Sequence, residues 1–209
     1  MSPAPPIPDD RAPPEALVIG VSAGGMYALE RLLPHLPARL AAAVIIVQHL
    51  HPSEDGYLAE HLGRFCALPV AVAEDKAPIR AATVTLAPAG YHLLVERSRT
   101  FALSIDARVC FARPSIDVLF ESAARTWGAA LWGLLLTGAN EDGTRGLAAI
   151  HALGGWTIAQ DPADAAHPAM PRSAIVAGVV RQILTLDAIG TLLAALPPAA
   201  PSVEPKANR

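Results

Sequence analysis

Three polar residues stand at or shortly after the ends of apolar runs and could together carry out nucleophilic chemistry. Ser22 follows the run ALVIGV, His49 follows AVIIVQ, and Asp142 lies in the loop after LWGLLL. A serine hydroxyl is a weak nucleophile without a neighbouring base, and imidazole is suited to accept its proton near neutral pH. A carboxylate that accepts the second ring N–H would orient the imidazole. These residue types therefore indicate a hydrolase that acts by acyl transfer, if the fold brings them together.

The turn after Ser22 offers backbone groups that could bind an anion. Gly24 and Gly25 let the chain turn sharply and, with Ala23, bring N–H groups to the start of a helix. Ala139, in the loop after LWGLLL, adds another candidate donor. The same turn also fits a phosphate-binding site, or a plain strand-to-helix turn with Ser22 as helix cap. The GxGxxG and GxxxxGK[ST] fingerprints of nucleotide binders are missing, as is the GxSxG elbow of many serine hydrolases.

The other candidate residues also have purely structural interpretations. His49 could be a hydrogen-bonded histidine at a strand end, and Asp142 could cap a helix that begins near Gly143. Glu141 precedes Asp142, so residue type and position leave the choice between the two acids open. The remaining histidines follow no metal-ligand spacing and are interpreted as surface or ordinary side chains: His35, His51, His61, His92, His151 and His167.

These residues require a fold that aligns the ends of distant strands. Short apolar runs alternate with helical patterns through the folded region, and they predict strands at 16–21, 43–48, 69–72, 83–87, 131–136 and 156–159. Apolar strands separated by helices are typical of an α/β fold with a doubly wound, mostly parallel sheet and helices on both faces. In such folds catalytic groups collect at the carboxyl ends of the strands, where Ser22, His49 and Asp142 stand.

The helices and a hairpin complete the predicted fold. Residues 91–96 and 100–105 predict an antiparallel hairpin, and Ser115 is expected to cap a helix whose apolar face includes Leu119 and Phe120. A helix is predicted to follow Gly25, and further helices are predicted at 57–65, 143–153, 172–177 and 186–196.

Composition limits the class of protein. The chain has 209 residues, of which 52% are hydrophobic and 17% charged, which predicts one globular domain and excludes disorder of the whole chain. The net charge is -3 and no basic run is present, which argues against a nucleic-acid partner. The longest uncharged apolar run, 40–50, is shorter than the roughly 20 residues of a membrane span, so we expect no membrane insertion.

The two ends of the chain are rich in proline. We expect disordered tails at 1–15 and 197–209 around a domain at 16–196, because proline disrupts helices and central strands. The proline-rich start is no signal peptide, so we expect a cytoplasmic protein. Cys66 and Cys110 form no disulfide framework and no metal cluster, and they are interpreted as reduced, structural thiols.

Several segments together resemble the catalytic domain of the chemotaxis receptor methylesterases, the CheB family. The match extends over essentially the whole predicted domain, in the same order and spacing. The segments are VIGVSAGG (18–25), IIVQHLHP (45–52), LAPAGYHLLVE (86–96), RPSIDVLFESAA (113–124), LLTGANEDGTRGL (135–147), GGWTIAQDP (154–162) and MPRSAI (170–175).

The resemblance implies an esterase that hydrolyses glutamyl methyl esters, and also deamidates glutamine, on the cytoplasmic domains of chemoreceptors. Its serine, histidine and aspartate fall on Ser22, His49 and Asp142, which favours Asp142 over Glu141. It implies no metal and no organic cofactor. The expected oxyanion and substrate-binding residues are Ala23, Gly24, Ala139 and Met170.

The chain departs from the family pattern at three residues and in its length. Ala23 replaces a frequent threonine, Ala139 a frequent methionine, and Asn140 a frequent glycine. Only a proline-rich stretch precedes Ala16, so we expect a form without the receiver domain that usually controls these enzymes, and a regulator that acts in trans. The alternative function is a catalytically silent, CheB-like binding module in a signalling complex.

Overall fold

The structure is a computed structural model, and it describes residues 12–49 and 57–199. The predicted tails at 1–15 and 197–209 lie largely outside the described residues, and His51 lies outside them as well. The domain bounds at 16 and 196 therefore stay a prediction.

The apolar runs form a seven-stranded parallel sheet. Its strands are β1 (Ala16–Val21), β2 (Ala43–Gln48), β3 (Val70–Val72), β4 (Val84–Leu86), β7 (Leu131–Leu135), β8 (Trp156–Gln160) and β9 (Gln182–Leu184). They lie in the order β3-β4-β2-β1-β7-β8-β9. The strands β5 (His92–Val95) and β6 (Phe101–Ser104) pair antiparallel in a separate two-stranded sheet, the predicted hairpin.

Helices cover both faces of the central sheet. The helices are α1 (Gly25–Leu32), α2 (Tyr57–Gly63), α3 (Ile116–Trp127), α4 (Thr144–Ala152), α5 (Ala169–Val176) and α6 (Leu186–Ala194). Side chains of β1 alternate between two cores: Leu17 and Ile19 pack with α1, α2 and α6, whereas Ala16 and Val18 pack with α3, α4 and α5. Burial on both faces explains why these strands are continuously apolar. The predicted α/β fold class is confirmed.

Two elements differ from the prediction. The edge strand β9 was not predicted, and α5 begins at Ala169 instead of near Arg172. Pro171 lies in the first turn of α5, where a proline is tolerated because its missing N–H has no helical partner. Within the described part of the chain, no helix has the length and apolarity needed to cross a bilayer.

The order of the strands determines where a site can form. From β1 the chain continues to β2 on one side, and it later returns to the other side of β1 through β7. Loops that follow strands at such a reversal diverge and leave a crevice at the carboxyl edge of the sheet. Ser22, His49 and the loop that carries Asp142 all lie at this edge.

Candidate functional site

The structure brings Ser22, His49 and Asp142 together at the carboxyl ends of β1, β2 and β7. The His49 ring lies between the other two side chains, with Nδ1 3.1 Å from Ser22 Oγ and Nε2 2.8 Å from Asp142 Oδ2. The Asp142 carboxylate accepts the proton of Nε2, which leaves Nδ1 free to accept the serine hydroxyl proton. The arrangement can therefore activate Ser22 as a nucleophile.

The Asp142 carboxylate is held by donors from its own loop and from the start of α3. Its Oδ1 accepts hydrogen bonds from Ser115 Oγ at 2.9 Å, from the Gly143 N–H at 3.0 Å and from the Asp117 N–H at 3.1 Å. Its Oδ2 accepts from the Ile116 N–H at 2.8 Å. The amides of Ile116 and Asp117 begin α3, so the positive end of a helix dipole faces the carboxylate.

Two predicted helix caps therefore have different roles. Ser115 precedes α3 as predicted, but its hydroxyl donates to Asp142 and makes no cap hydrogen bond. Asp142 does not cap α4, because Gly143 occupies that position with φ of 93°. The physical reason is that free amides at a helix start bind a full negative charge well, and the fold presents Asp142 to those of α3.

These hydrogen bonds keep Asp142 ionised although its side chain is buried. Burial by itself would raise the pKa of the Asp142 carboxyl, but the hydrogen bonds from His49, Ile116 and Asp117 outweigh burial and hold the pKa below its ordinary value. An ionised carboxylate accepts from the Nε2–H of His49 and stabilises the imidazolium that forms when the ring takes a proton.

A second histidine, His92, contacts Ser115, which in turn holds Asp142. From the sequence alone, His92 is interpreted as an ordinary side chain. The His92 side chain is buried, its Nε2–H donates to the carbonyl of Ala107 at 3.0 Å, and its Nδ1 accepts from the Ser115 N–H at 3.2 Å. Through Ser115 it is linked to the Asp142 carboxylate. The spacing of residues contains no sign of this contact, because it joins a hairpin strand to a helix start.

The turn that carries Ser22 is connected to both neighbouring strands. The Gln48 side-chain amide donates to the carbonyl of Ser22 at 3.0 Å, and the Ser22 N–H donates to the carbonyl of Thr137 at 2.9 Å. The Thr137 hydroxyl donates to the carbonyl of Ala23 at 2.8 Å. Gly24 adopts φ of 78°, where glycine is favoured, and a Cβ at this position would approach Thr137 Oγ1 to 3.1 Å.

Three of the expected anion-binding residues present backbone N–H groups at the edge where Ser22 lies. The amides of Ala23, Gly24 and Ala139 have no hydrogen-bond acceptor among the residues that the structure describes. The fourth, Met170, is fully buried, and its N–H donates to the carbonyl of Gly138 at 3.0 Å. A Cβ on Gly138 would lie 2.6 Å from the Met170 sulfur, so Met170 packs beneath the loop instead of lining its surface.

Cys110, Asp117 and Asp142 place one thiol and two carboxylates within 4.8 Å of one another. Burial raises the pKa of the Cys110 thiol and the nearby carboxylates raise it further, so this cysteine is a poor nucleophile. Burial, with the charge of Asp142, also raises the pKa of Asp117 to about 6. Both oxygens of Asp142 are already bound by hydrogen-bond donors, so the cluster does not have the open carboxylates of a metal site.

Two cavities adjoin the site. A cavity of about 200 Å³ is lined by His49, Asn140 and the segment 110–114. A larger cavity of about 670 Å³ shares Cys110 with the first and lies between α4 and α5, and Ser22, His49 and Asp142 are not among its lining residues. Of the two, the smaller cavity is the one that His49 lines.

Comparisons with known proteins agree with this fold. The CheB methylesterase family model matches residues 17–193. A Leptospira interrogans protein, provisionally named a protein-glutamate methylesterase/protein-glutamine glutaminase, is 46% identical over 178 residues, which make up 85% of this chain and 92% of the relative. A Symbiobacterium thermophilum protein of that activity name is 40% identical over 180 residues, or 86% of this chain, which spans only 50% of the relative.

A solved structure leads to the same class. The crystal structure of the Thermotoga maritima CheB methylesterase catalytic domain superposes with a TM-score of 0.83 at 30% identity, and the match covers 88% of this chain and all of that one. The fold and the relatives together define an ester hydrolase built on a doubly wound sheet. Within that class, the chain belongs to the CheB methylesterase family, and the identification made from its motifs is confirmed.

Proposed function

We propose that this protein is a cytoplasmic protein-glutamate methylesterase that hydrolyses glutamyl γ-methyl esters, and deamidates glutamine, on the cytoplasmic domains of chemoreceptors. The observation that carries the proposal is the position of the His49 ring, hydrogen-bonded to Ser22 Oγ on one side and to Asp142 Oδ2 on the other. The activity names of the relatives support the substrate. A regulator that acts in trans remains part of the proposal.

The first half of the reaction transfers the acyl group to Ser22. Ser22 Oγ attacks the ester carbonyl carbon while Nδ1 of His49 takes the hydroxyl proton. Asp142 stabilises the resulting imidazolium through Nε2. The tetrahedral intermediate collapses when the C–OCH₃ bond breaks, and the imidazolium gives its proton to the departing oxygen. Methanol leaves, and the glutamyl group stays bound to Ser22 as an ester.

The second half releases the product. Water attacks the acyl carbon, Nδ1 of His49 takes a proton from the water, and the C–Oγ bond breaks as the proton passes to Ser22 Oγ. The product is a glutamate side chain. Deamidation of glutamine follows the same steps with ammonia as the leaving group.

The negative oxygen of each tetrahedral intermediate needs hydrogen-bond donors. The backbone N–H groups of Ala23, Gly24 and Ala139 are the proposed donors, because they have no acceptor among the described residues. Backbone donors survive the replacement of a family threonine by Ala23 and of a family methionine by Ala139. Each such donor contributes about 10²- to 10³-fold to the rate in serine hydrolases.

The test is release of methanol from a methylated chemoreceptor fragment by wild type and by Ser22→Ala. We expect release by the wild type and a loss of about 10⁴-fold or more in kcat for Ser22→Ala, because both halves of the reaction need the serine oxygen. A fluorophosphonate probe should label the wild type at Ser22. Equal release by both proteins would contradict the mechanism, and absence of both methanol and label would favour the silent binding module.

A further inference from the structure

A tight turn beside the catalytic candidates has an unusual backbone. Val109 and Ala112 exchange two backbone hydrogen bonds, with the Val109 N–H donating at 3.1 Å and the Ala112 N–H at 2.9 Å. The two residues between them, Cys110 and Phe111, have φ of 48° and 62°. Turns of this kind strongly favour Asn-Gly or Gly-Gly, because a side chain with positive φ is strained. The sequence places a thiol and a phenyl ring there.

The strained residue Phe111 does not stabilise the fold by packing. Its exposed fraction is 94%, the highest among the large apolar residues that the structure describes. Ile105, which precedes the turn, is 72% exposed. Phe111 also lines the cavity of about 200 Å³ that contains His49, so its ring stands at the opening of the proposed active site. Strained residues without a packing role often occur at functional sites.

The same cavity wall carries positive charge. Arg108 and Arg113 line it, and no acid is among the described residues that line it, although Asp106 lies in the same segment. Arg113 Nη1 donates to the carbonyls of Ile105 at 2.6 Å and Asp106 at 3.0 Å, whereas its buried Nε has no acceptor among the described residues. Arg108 Nη1 donates to the carbonyl of Phe111 at 3.3 Å. The two guanidinium groups can therefore pair with carboxylates of a molecule that binds in the cavity.

We propose that this wall, defined as residues 105–113, is the docking surface for an acidic segment of the polypeptide that carries the ester. In this arrangement Phe111 is covered by an apolar side chain of the substrate, and Arg108 and Arg113 face its carboxylates. The inference rests on the proposed function, which makes a polypeptide with glutamyl esters the substrate. Such a segment gains a carboxylate with each ester hydrolysed, and this is why we expect an acidic partner. The wall is continuous with the cavity that contains His49, so bound substrate lies within reach of the reacting groups.

Replacing Phe111 separates docking from folding. Phe111→Gly removes the ring and also relieves the positive φ, so this variant should unfold at the wild-type temperature or above it. Phe111→Leu keeps an apolar side chain. Leu153→Gly is the matched control, because Leu153 is 47% exposed and lies between α4 and β8, at the opposite edge of the sheet.

Two substrates distinguish docking from chemistry. We expect Phe111→Gly to raise KM for methylated receptor fragment about tenfold or more, as for a buried aromatic anchor. Phe111→Leu should lie between wild type and Phe111→Gly, and Leu153→Gly should match the wild type. The loss on phenyl acetate, which has no polypeptide segment to extend along the wall, should be at least tenfold smaller than on the receptor fragment. Equal losses on both substrates, or no loss on either, would overturn the proposal.

The charged part of the wall has its own test. Arg108→Glu should raise KM for the receptor fragment more at low salt than at high salt, because salt screens exposed charges. An effect of the same size at all salt concentrations would contradict the acidic partner.

Binding without turnover distinguishes this inference from the proposed function. The Ser22→Ala protein should bind methylated receptor fragment, measured by calorimetry, about tenfold or more tightly than Ser22→Ala/Phe111→Gly. If this difference is found while the wild type releases no methanol, the docking surface stands and the proposed activity fails. If the wild type releases methanol and both variants bind alike, the activity stands and the docking surface is wrong.

Discussion

At the scale of single residues, the orientation of His49 determines the chemistry. In the general serine–histidine–aspartate arrangement, Nε2 faces the serine and Nδ1 faces the acid. Here Nδ1 faces Ser22 and Nε2 faces Asp142. Either ring nitrogen can accept a proton while the other donates, so the exchange of roles leaves the reaction unchanged. Asp142 selects the tautomer in which Nδ1 is the base.

The two neighbouring acids allow a matched test of this role. Asp142→Asn should lower kcat for methanol release by about 10³- to 10⁴-fold, because an amide no longer selects the tautomer or stabilises the imidazolium. Glu141→Gln should leave kcat unchanged, because the Glu141 side chain is exposed and makes no hydrogen bond to the described residues of the site. Similar losses in both variants would contradict the assignment of Asp142.

Residue type alone did not separate these two acids. Glu141 and Asp142 occupy the same loop and both carry a carboxylate, and the family resemblance favoured Asp142. The structure adds the physical difference: Asp142 is fully buried against the first turn of α3, whereas Glu141 points to solvent. A buried acid needs several donors, and those donors come from residues 115–117, far from it in the chain.

At the scale of elements, the beginning of α3 is part of the proposed active site. Its first amides bind the acid, and the residue before them, Ser115, is held by His92 of β5. The hairpin β5–β6 therefore contributes to the geometry of the site. It fixes a helix start, which fixes the carboxylate and with it the histidine.

His92 should act as a positioning residue, and the two ring nitrogens can be tested separately. His92→Asn keeps an acceptor near the position of Nδ1 for Ser115, whereas His92→Gln keeps a donor near Nε2 for Ala107. We expect both to lose about 1–3 kcal/mol in free energy of unfolding, since each leaves a buried group unpaired. His92→Gln should lose about tenfold more kcat than His92→Asn, because only the latter holds Ser115.

The measurements are denaturant unfolding and methanol release on the same samples. If kcat follows stability alone and the two variants retain equal activity, His92 is merely structural.

The elements that sequence patterns missed have short or unusual signals. β9 has only three residues and lies at the sheet edge, where Ile183 is half-exposed. An edge strand this short does not need the continuous apolar run by which the central strands were predicted. In α5, Pro171 lies in the first turn, and a proline in the sequence suggests a helix that begins only after it. The longer elements were predicted within a few residues, because buried strands and amphipathic helices repeat their apolar residues over many positions.

At the scale of the whole molecule, Asp142 and Asp117 make the stability of the fold depend on pH in opposite directions. The pKa of Asp142 is lowered, so its stabilising contribution is lost as pH falls through that lowered value. The pKa of Asp117 is raised to about 6, so the folded state holds a proton that the unfolded state releases near pH 4. Stability from Asp117 therefore falls as pH rises from about 4 to about 6, and it stays low above that range.

Asp117→Asn should remove this loss. An asparagine oxygen can still accept from the Gly146 N–H, which Asp117 Oδ1 accepts at 2.7 Å, and it carries no charge. We expect the free energy of unfolding to rise by roughly 1–3 kcal/mol above pH 6, with no gain below pH 4. Urea unfolding between pH 4 and pH 8 measures this difference, with Glu141→Gln as the control. A gain that is the same at every pH would show that repacking, and not ionisation, is the cause.

The amino-acid sequence by itself determined the parallel sheet, its helices, the hairpin and the family. These features follow from local periodicity and from motifs, which depend only on residues that are close together in the sequence. It also named Ser22, His49 and Asp142 as candidates, because each follows a buried strand whose end must lie at one edge of the sheet.

Only the tertiary structure decided how those residues are held and what surrounds them. The order β2-β1-β7 brings three loops into contact, and α3, His92 and Gln48 then supply the hydrogen bonds that orient the reacting groups. Such hydrogen bonds join atoms from distant parts of the chain. Their strength depends on the angle at the hydrogen and on tenths of an ångström in the donor–acceptor distance. No pattern of residue types along a chain encodes those distances, because they arise only after the elements have packed.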